Sequence, residues 1–392
     1  MRRPHVLQVF QPNVGGVPAY VANLGRGLAA LGWRMSVAAP AEHSAAAEID
    51  EVAERRLVID SASGWSPRAD ARALRTLVDF TRSEGVDLLH AHSSKASLLA
   101  GLAGVMTGRP SVYTPHTWAF QRSGSRLAAA SYAAVEAALA HRCHRRVVVV
   151  SESEERAAAR WRVVGGDALR RVRSGLPPAP ASPSRADARR ELALDPDVPV
   201  AAWVGRLHRA KRPEDLAPLA ARLRGKALVV ALGQELAGSP QGEALEAAGG
   251  RVAPPCEARV LLAAADLLVM TSAWEALPFC VLEAMQAGLP VIAYDVGDLR
   301  AQVVDGGSGF LVSPFDVAGL ARRVRLLVDD PDLRAVLGAA GRRRLDTHFS
   351  YEAMISSIDG AYREVIAASR AGLPQQQAPK RMAAAAAEEW VA

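Results

Sequence analysis

TSAWEALPFCVLEAMQAGLPVIA occupies positions 271–293 and holds two carboxylates, Glu275 and Glu283, in an otherwise almost wholly apolar run. An ionised carboxylate is costly to bury without a partner. Pro278 suits the first turn of a helix, Gly288 suits its end, and Pro290 prevents it from continuing. The spacing therefore predicts a helix over 278–287, with Glu275 in the loop ahead of it and Glu283 inside it. The apolar strand DLLVMTS (266–272) comes just before, so the loop lies at a strand's carboxyl end. A helix N-terminus in that position offers free N–H groups and a partial positive charge, which attract phosphate.

Outward from this stretch, the chain has 392 residues, too many for one ordinary core, and two domains follow. Half the residues are hydrophobic and 22% are charged, the balance of a globular enzyme rather than a disordered chain. Net charge is +6, and Lys95, Lys211, Lys226 and Lys380 are the only lysines. A basic balance suits phosphate-bearing ligands or an anionic membrane surface. Codon usage that inflates Ala and Arg is the better account of most of the arginines. Three cysteines without metal-ligand spacing predict reduced thiols and a cytoplasmic protein. The start, MRRPHVLQVF, lacks a long apolar segment, and no apolar run reaches membrane-spanning length.

The first half alternates short strands and helices. Strands are predicted at 5–10, 34–40, 86–92, 110–116 and 147–151, and helices at 17–32, 71–85, 95–108 and 123–142. A second series of strands runs through 198–207, 226–233, 251–255, 266–272, 290–295 and 309–312. The strands are continuous apolar runs, as in parallel sheets with both faces covered by helices. SGLPPAPASPSRAD (174–187) reads as a linker, and the low-complexity tail past residue 370 as disordered. The expected domains are 1–178 and 179–350, with a helix over 351–370 crossing back to the first and a tail over 371–392. In such sheets ligands bind beyond the strands' carboxyl ends.

Two carboxylates beside an anion site are placed to accept hydrogen bonds from hydroxyls. Phosphates and hydroxyls together describe a nucleotide sugar. The run S-A-W-E-A-L-P-F-C-V-L-E-A-M-Q-A-G-L-P-V-I-A resembles the E-x7-E signature of retaining family-4 glycosyltransferases, the glycosyl transferases group 1, with the GT-B fold. That fold is α/β, two Rossmann-like domains facing each other across a deep interdomain cleft. The resemblance implies that Glu283 holds the nucleotide ribose and Glu275 contacts donor-sugar hydroxyls. It also implies that main-chain amides of Ala276, Leu277 and Phe279 meet the sugar and diphosphate. WVGRLHRAKRP (203–213) resembles the family's G-R-L-x3-K element, which makes Arg206 and Lys211 the donor-diphosphate cations. NVGGVPAY (13–20) resembles its glycine loop, with Gly15 and Gly16 over the donor phosphates. YTPHTWAF (113–120) puts His116 near the donor sugar. His90 and His92, in HAHSSKAS (90–97), read mainly as structural. Ser151 reads equally as a cleft residue and as an N-cap before ESEER.

The sequence departs from the family at three places. Ala276 replaces the glycine after the first signature Glu, VGDLRA (296–301) replaces G-G-x-x-E, and Ser174-Gly175 replaces Asn-Gly. The implied reaction is glycosyl transfer from a nucleotide diphosphate sugar, UDP- or GDP-linked, to an acceptor hydroxyl with retention and without a metal. Cell-envelope polysaccharide, glycolipid and natural-product glycosylation all fit, and no nucleic-acid partner is implied. HRCHRR (141–146), ARWR (159–162) and LRRVR (169–173) read equally as a membrane-facing basic lip for a lipid-linked acceptor and as a solvated arginine face. A peripheral contact with the inner face of the membrane stays open with them. Two other readings compete: a sugar-nucleotide epimerase of GT-B shape, and a non-catalytic partner on a transferase scaffold.

Overall fold

The computed structural model describes residues 2–59, 66–178, 182–233 and 235–373. The chain divides into two compact units, one of residues up to Arg173 together with Glu352 onward, the other Ser174–Tyr351. The sequence reading draws these boundaries at 178/179 and 350/351. The low-complexity tail lies almost wholly outside the described residues, as do 179–181 of the linker.

In the first unit the strands are β1 (His5–Phe10), β2 (Arg34–Ala39), β3 (Arg55–Val58), β4 (Leu88–His92), β5 (Ser111–Thr114), β6 (Arg146–Val149) and β7 (Leu169–Arg171). They form one parallel sheet in the order β3-β2-β1-β4-β5-β6-β7. The helices between them are α1 (Gly16–Ala30), α2 (Ala46–Asp50), α3 (Pro67–Ser83), α4 (Ser94–Thr107), α5 (Arg126–Arg142) and α6 (Glu152–Arg160). β1 is buried along its whole length, which is why it reads as a mostly apolar run, with His5 and Gln8 as its polar members. Helix α3 shows the complementary pattern: Ala69, Ala73, Leu77 and Thr81 are buried at four-residue spacing, with Val78 beside them, and the arginines and Asp79 take the other face.

The second unit holds β8 (Val200–Val204), β9 (Leu228–Leu232), β10 (Arg251–Val252), β11 (Leu267–Met270), β12 (Val291–Tyr294) and β13 (Gly309–Val312). They are again parallel, in the order β10-β9-β8-β11-β12-β13. Its helices are α7 (Arg185–Glu191), α8 (Leu216–Leu223), α9 (Pro240–Ala247), α10 (Ala258–Ala264), α11 (Phe279–Gln286), α12 (Leu299–Gln302), α13 (Val317–Asp329) and α14 (Pro331–His348). Buried Asp266 anchors the sheet's amino end, pairing with Arg189 at 3.0 Å and Arg185 at 2.8 Å while accepting the Val200 N–H.

Helix α15 (Tyr351–Arg370) returns to the first unit. Trp33 Nε1 donates to Asp359 at 2.7 Å. Ile355 lies so close to Gly27 that an added Cβ would stand 2.3 Å from its Cδ1. Buried Asp87 accepts the His5 N–H and pairs with both Arg2 and Arg370.

Several elements depart from the sequence reading, edge strand β3 among them. The helix expected over 278–287 starts at Phe279, with Pro278 in extended backbone just before it. The helix expected over 123–142 begins at Arg126 as α5, after a short 3₁₀ turn over Ala119–Arg122. LRRVR, read equally as part of a basic lip and of a solvated arginine face, supplies edge strand β7 through Leu169–Arg171.

Candidate active site

The strand order reverses between β8 and β11 in the second unit and between β1 and β4 in the first. Such switch points open a crevice at the strands' carboxyl ends. Arg206 and Lys211 follow β8, Glu275 follows β11 and Gly15 follows β1, all at these two places, while His116 follows β5 and Glu283 lies inside α11.

In the second unit, the loop after β8 is stitched to the loop after β11. Ala273 N–H donates to the Ala210 carbonyl at 2.8 Å. Thr271 Oγ1 donates to the Lys211 carbonyl at 2.7 Å and accepts Trp203 Nε1 at 3.0 Å. This brings Lys211 Nζ to 2.5 Å from Glu275 Oε1, with the two side chains only 18% and 12% exposed. Burial pulls the Lys211 ammonium down, but the charge and hydrogen bond of Glu275, together with Cys280, leave the net shift upward. The next residue, Arg212, has φ +49° and grips Asp215 with two bonds of 2.8 Å; Asp215 also accepts the Tyr294 hydroxyl at 2.9 Å. Gly297, at φ +56°, packs on the main chain of Glu275, where a Cβ would stand 1.9 Å from the carbonyl oxygen. Gly233, at the end of β9, likewise admits no Cβ, which would meet the Gly205 carbonyl at 2.0 Å.

Helix α11 then begins with no side-chain cap and no acidic residue in its first turn, so its partial positive charge is unneutralised there. Ala276, Leu277 and Phe279 are partly buried along the approach to it. Buried Gln302 steadies the turn by donating to the Pro278 carbonyl at 3.1 Å. The Cys280 thiol, pushed up to about 12 by burial, sits in the field of Lys211, Glu275 and Glu283. Glu283 is partly buried, and its carboxylate has no hydrogen bond or ion pair among the described residues. Burial alone raises its pKa. Arg206 is exposed, has no carboxylate partner among the described residues, and adds positive charge near Lys211. Two cations, a helix N-terminus and two carboxylates thus surround one loop, a combination suited to a ligand with both phosphates and hydroxyls.

In the first unit, Gly15 has φ +95° and turns the chain from β1 into α1, whose first residue is Gly16. Across β1, β4 and β5 runs a buried polar chain. His90 Nδ1 meets the Tyr362 hydroxyl at 2.5 Å and its Nε2 meets Thr114 Oγ1 at 2.8 Å. Gln8 donates to the same hydroxyl at 3.2 Å, and Gln8 Oε1 meets His92 Nε2 at 2.8 Å. His92 Nδ1 in turn lies 3.0 Å from His116 Nε2. Burial holds His90 and His92 well below the usual histidine pKa, so they act as neutral struts. His116 is partly exposed at the end of the chain, edge-on to Tyr20 at 4.7 Å.

Backbone strain collects at the same place. His116 and Thr117 have φ +49° and +86°, and Ser93, at the end of β4, has φ +111°. Each costs on the order of 1–3 kcal/mol and persists only where its surroundings hold it. For Thr117 the hold is the carboxylate of Glu154, fully buried, at 2.5 Å from the Thr117 N–H.

Gln8, Tyr362 and Glu154 were missed in the sequence. Gln8 was detectable as a polar residue in the middle of an apolar strand, and Glu154 as the fourth residue of Ser151-x-x-Glu154. Tyr362 left no signal, because its partners are more than 270 positions away. Ser151 is an N-cap: its Oγ accepts the Glu154 N–H at 3.2 Å. Several residues of the basic segments have partners of their own. His144 is buried between Ser97 and Ser111, Arg146 and Arg170 pair with Glu364, and Arg171 pairs with Glu155.

Two parallel-sheet Rossmann-like domains with this charge arrangement define a GT-B-type glycosyltransferase. Residues 14–179 match the Glycosyltransferase Family 4 family and residues 184–344 match the Glycosyl transferases group 1 family. The D-inositol 3-phosphate glycosyltransferase of Salinispora arenicola is 33% identical over 322 residues, 72% of this chain and 69% of that protein. The alpha-maltose-1-phosphate synthase of Mycolicibacterium smegmatis is 30% identical over 73% of this chain and 81% of that protein. Among solved structures, the sucrose-phosphate synthase of Thermosynechococcus elongatus superposes with a TM-score of 0.76 at 25% identity, covering 94% of this chain and all of that one. The chain belongs to the group 1, family-4 glycosyltransferases. Among the described residues no helix is long and apolar enough to cross a membrane.

Proposed function

We propose that the chain transfers a sugar from a nucleotide diphosphate sugar to an acceptor hydroxyl, with retention at the anomeric carbon and without a metal ion. The observation that carries this reading is the partly buried Lys211–Glu275 pair beside the uncapped start of α11, with Glu283, which has no hydrogen bond or ion pair among the described residues, one turn further along the same helix. Arg206, Lys211 and the helix N-terminus stabilise the negative charge that grows on the leaving diphosphate. Glu283 accepts the ribose hydroxyls, and Glu275 accepts hydroxyls of the donor sugar. The amides of Ala276, Leu277 and Phe279 face the sugar and diphosphate, and the turn at Gly15 and Gly16 lies over the phosphates. His116 contacts the donor sugar. The acceptor hydroxyl attacks from the face the leaving group departs from, and the departing phosphate oxygen takes its proton. No protein nucleophile takes part.

The names of all three relatives contain a phosphorylated polyol or sugar, which favours a small acceptor of that kind. A lipid-linked saccharide is the competing arm of the acceptor panel. Thermal-shift titration with UDP, GDP, ADP and their sugars, beside Glu283→Ala and Lys211→Ala, tests the donor site. Stabilisation by one nucleotide, lost in both variants, supports the reading and names the base. A flat response to every nucleotide overturns it. Turnover abolished by EDTA and restored by magnesium would overturn metal independence.

A further inference from the structure

We propose that Glu154 is a positioning residue for sugar transfer, holding the His116 loop in its strained form; this rests on the reading of His116 as a donor-side group. Its two carboxylate oxygens point to different elements. Oε1 accepts the Thr117 N–H at 2.5 Å, and Oε2 accepts the Val150 N–H at 2.9 Å. The first lies on the loop after β5 and the second at the end of β6. One buried side chain therefore ties the carboxyl ends of two neighbouring strands together. The main chain of the same residue helps, since its carbonyl accepts Trp118 Nε1 at 2.9 Å.

Ser151-x-x-Glu154 has the form of a capping box, in which the glutamate normally folds back onto its own helix start. Ser151 performs its half of the box. Glu154 sends one oxygen past the N-cap to the Val150 N–H and directs the other out of the helix to Thr117. Capping α6 requires no such reach. Thr117 is β-branched at φ +86°, a conformation such residues rarely adopt. A carboxylate is a stronger acceptor for its N–H than a neutral group, and burial keeps water from replacing it. Without that acceptor the Thr117 peptide relaxes and takes the adjoining His116 away from His92 and Tyr20.

The test compares Glu154→Gln with Ser151→Ala in the full chain. The readout is release of nucleoside diphosphate from UDP-glucose, GDP-mannose or ADP-glucose, beside melting temperature and hydrogen exchange over residues 113–121. Ser151→Ala should lower the melting temperature and leave kcat in place. Glu154→Gln should lower kcat at least tenfold with donor KM within twofold, and speed exchange at 113–121. Adding Thr117→Gly should recover most of that kcat, because glycine adopts positive φ without strain. Parallel losses of stability and activity in Glu154→Gln and Ser151→Ala, or no recovery with Thr117→Gly, overturn the proposal. If the unaltered protein releases nucleotide from none of the donors, the donor reading fails by itself. The exchange arm then still decides the tether, and equal exchange in both variants overturns it. Should Glu154→Gln not fold, Glu154→Asp carries the same comparison, since it keeps the charge and shortens the reach.

Discussion

Lys211 and Glu275 lie on different loops, 64 positions apart, and meet at 2.5 Å. Each is therefore engaged by the other before any donor arrives. A nucleoside diphosphate must draw Lys211 away from a carboxylate that repels its phosphates. We predict that Glu275→Gln binds UDP or GDP several-fold more tightly and turns over the nucleotide sugar about a hundredfold more slowly. Calorimetric titration and donor-turnover kinetics check both halves. Weaker nucleotide binding in this variant would show that Glu275 does not oppose the phosphates.

Glu283 carries the opposite kind of cost. Burial raises its pKa with no compensating partner. Between the ordinary glutamate value, about 4.3, and the raised one, the folded state binds more protons than the unfolded state, so stability falls as pH rises through that window. Glu283→Gln removes the cost. The ligand-free variant should melt on the order of 1–2 °C higher at pH 7, and the gain should vanish toward pH 4. Donor nucleotide should no longer stabilise it.

Gly297 packs its bare backbone on Glu275. An alanine there would put a Cβ 1.9 Å from the Glu275 carbonyl at a φ of +56°. Gly297→Ala should cost at least ~2 kcal/mol in urea unfolding and abolish nucleotide stabilisation, because the Glu275 loop has to move. Normal nucleotide affinity in a destabilised variant would separate the loop's packing from donor binding.

The first unit should be sensitive to acid. Burial holds His90 and His92 far below the usual range, and His144 at about 3. In the unfolded chain each takes a proton near pH 6.5. Below that pH the unfolded state binds more protons, so stability is full above about 6.5 and is lost as pH falls, with His144 alone contributing about 2 kcal/mol of the loss by pH 5. Melting curves from pH 7.5 to 5 should show this decline, with a shallower slope in His144→Gln.

The interior strands and the donor loop were legible because each has a local cause. Strands buried on both faces read as apolar runs, and the sequence of Pro278, Gly288 and Pro290 brackets a helix. Even so, Pro278 sits one position outside α11, since its fixed φ serves the approach as well as the first turn. Strands β3 and β7 escaped notice because edge strands with exposed arginines carry no apolar run. The Lys211–Glu275 bond was also hidden. Both residues could be assigned to the site, but their contact depends on the stitch between the β8 and β11 loops. Glu154 reads as a helix cap until its second oxygen is followed to Thr117.

Tyr362 belongs to the last described helix yet bonds to Gln8 of the first strand and His90 of the fourth. A ribosome therefore releases every strand of both sheets before it makes the residue that completes the first polar chain. The Ser174–Tyr351 unit has all its own strands and helices in hand by then, while the earlier-made unit waits with Gln8 and His90 lacking their shared hydroxyl. Order of synthesis and order of completion are thus reversed in this chain. A nascent chain stalled before α15 would carry a finished C-terminal sheet and an N-terminal one still lacking its final helix.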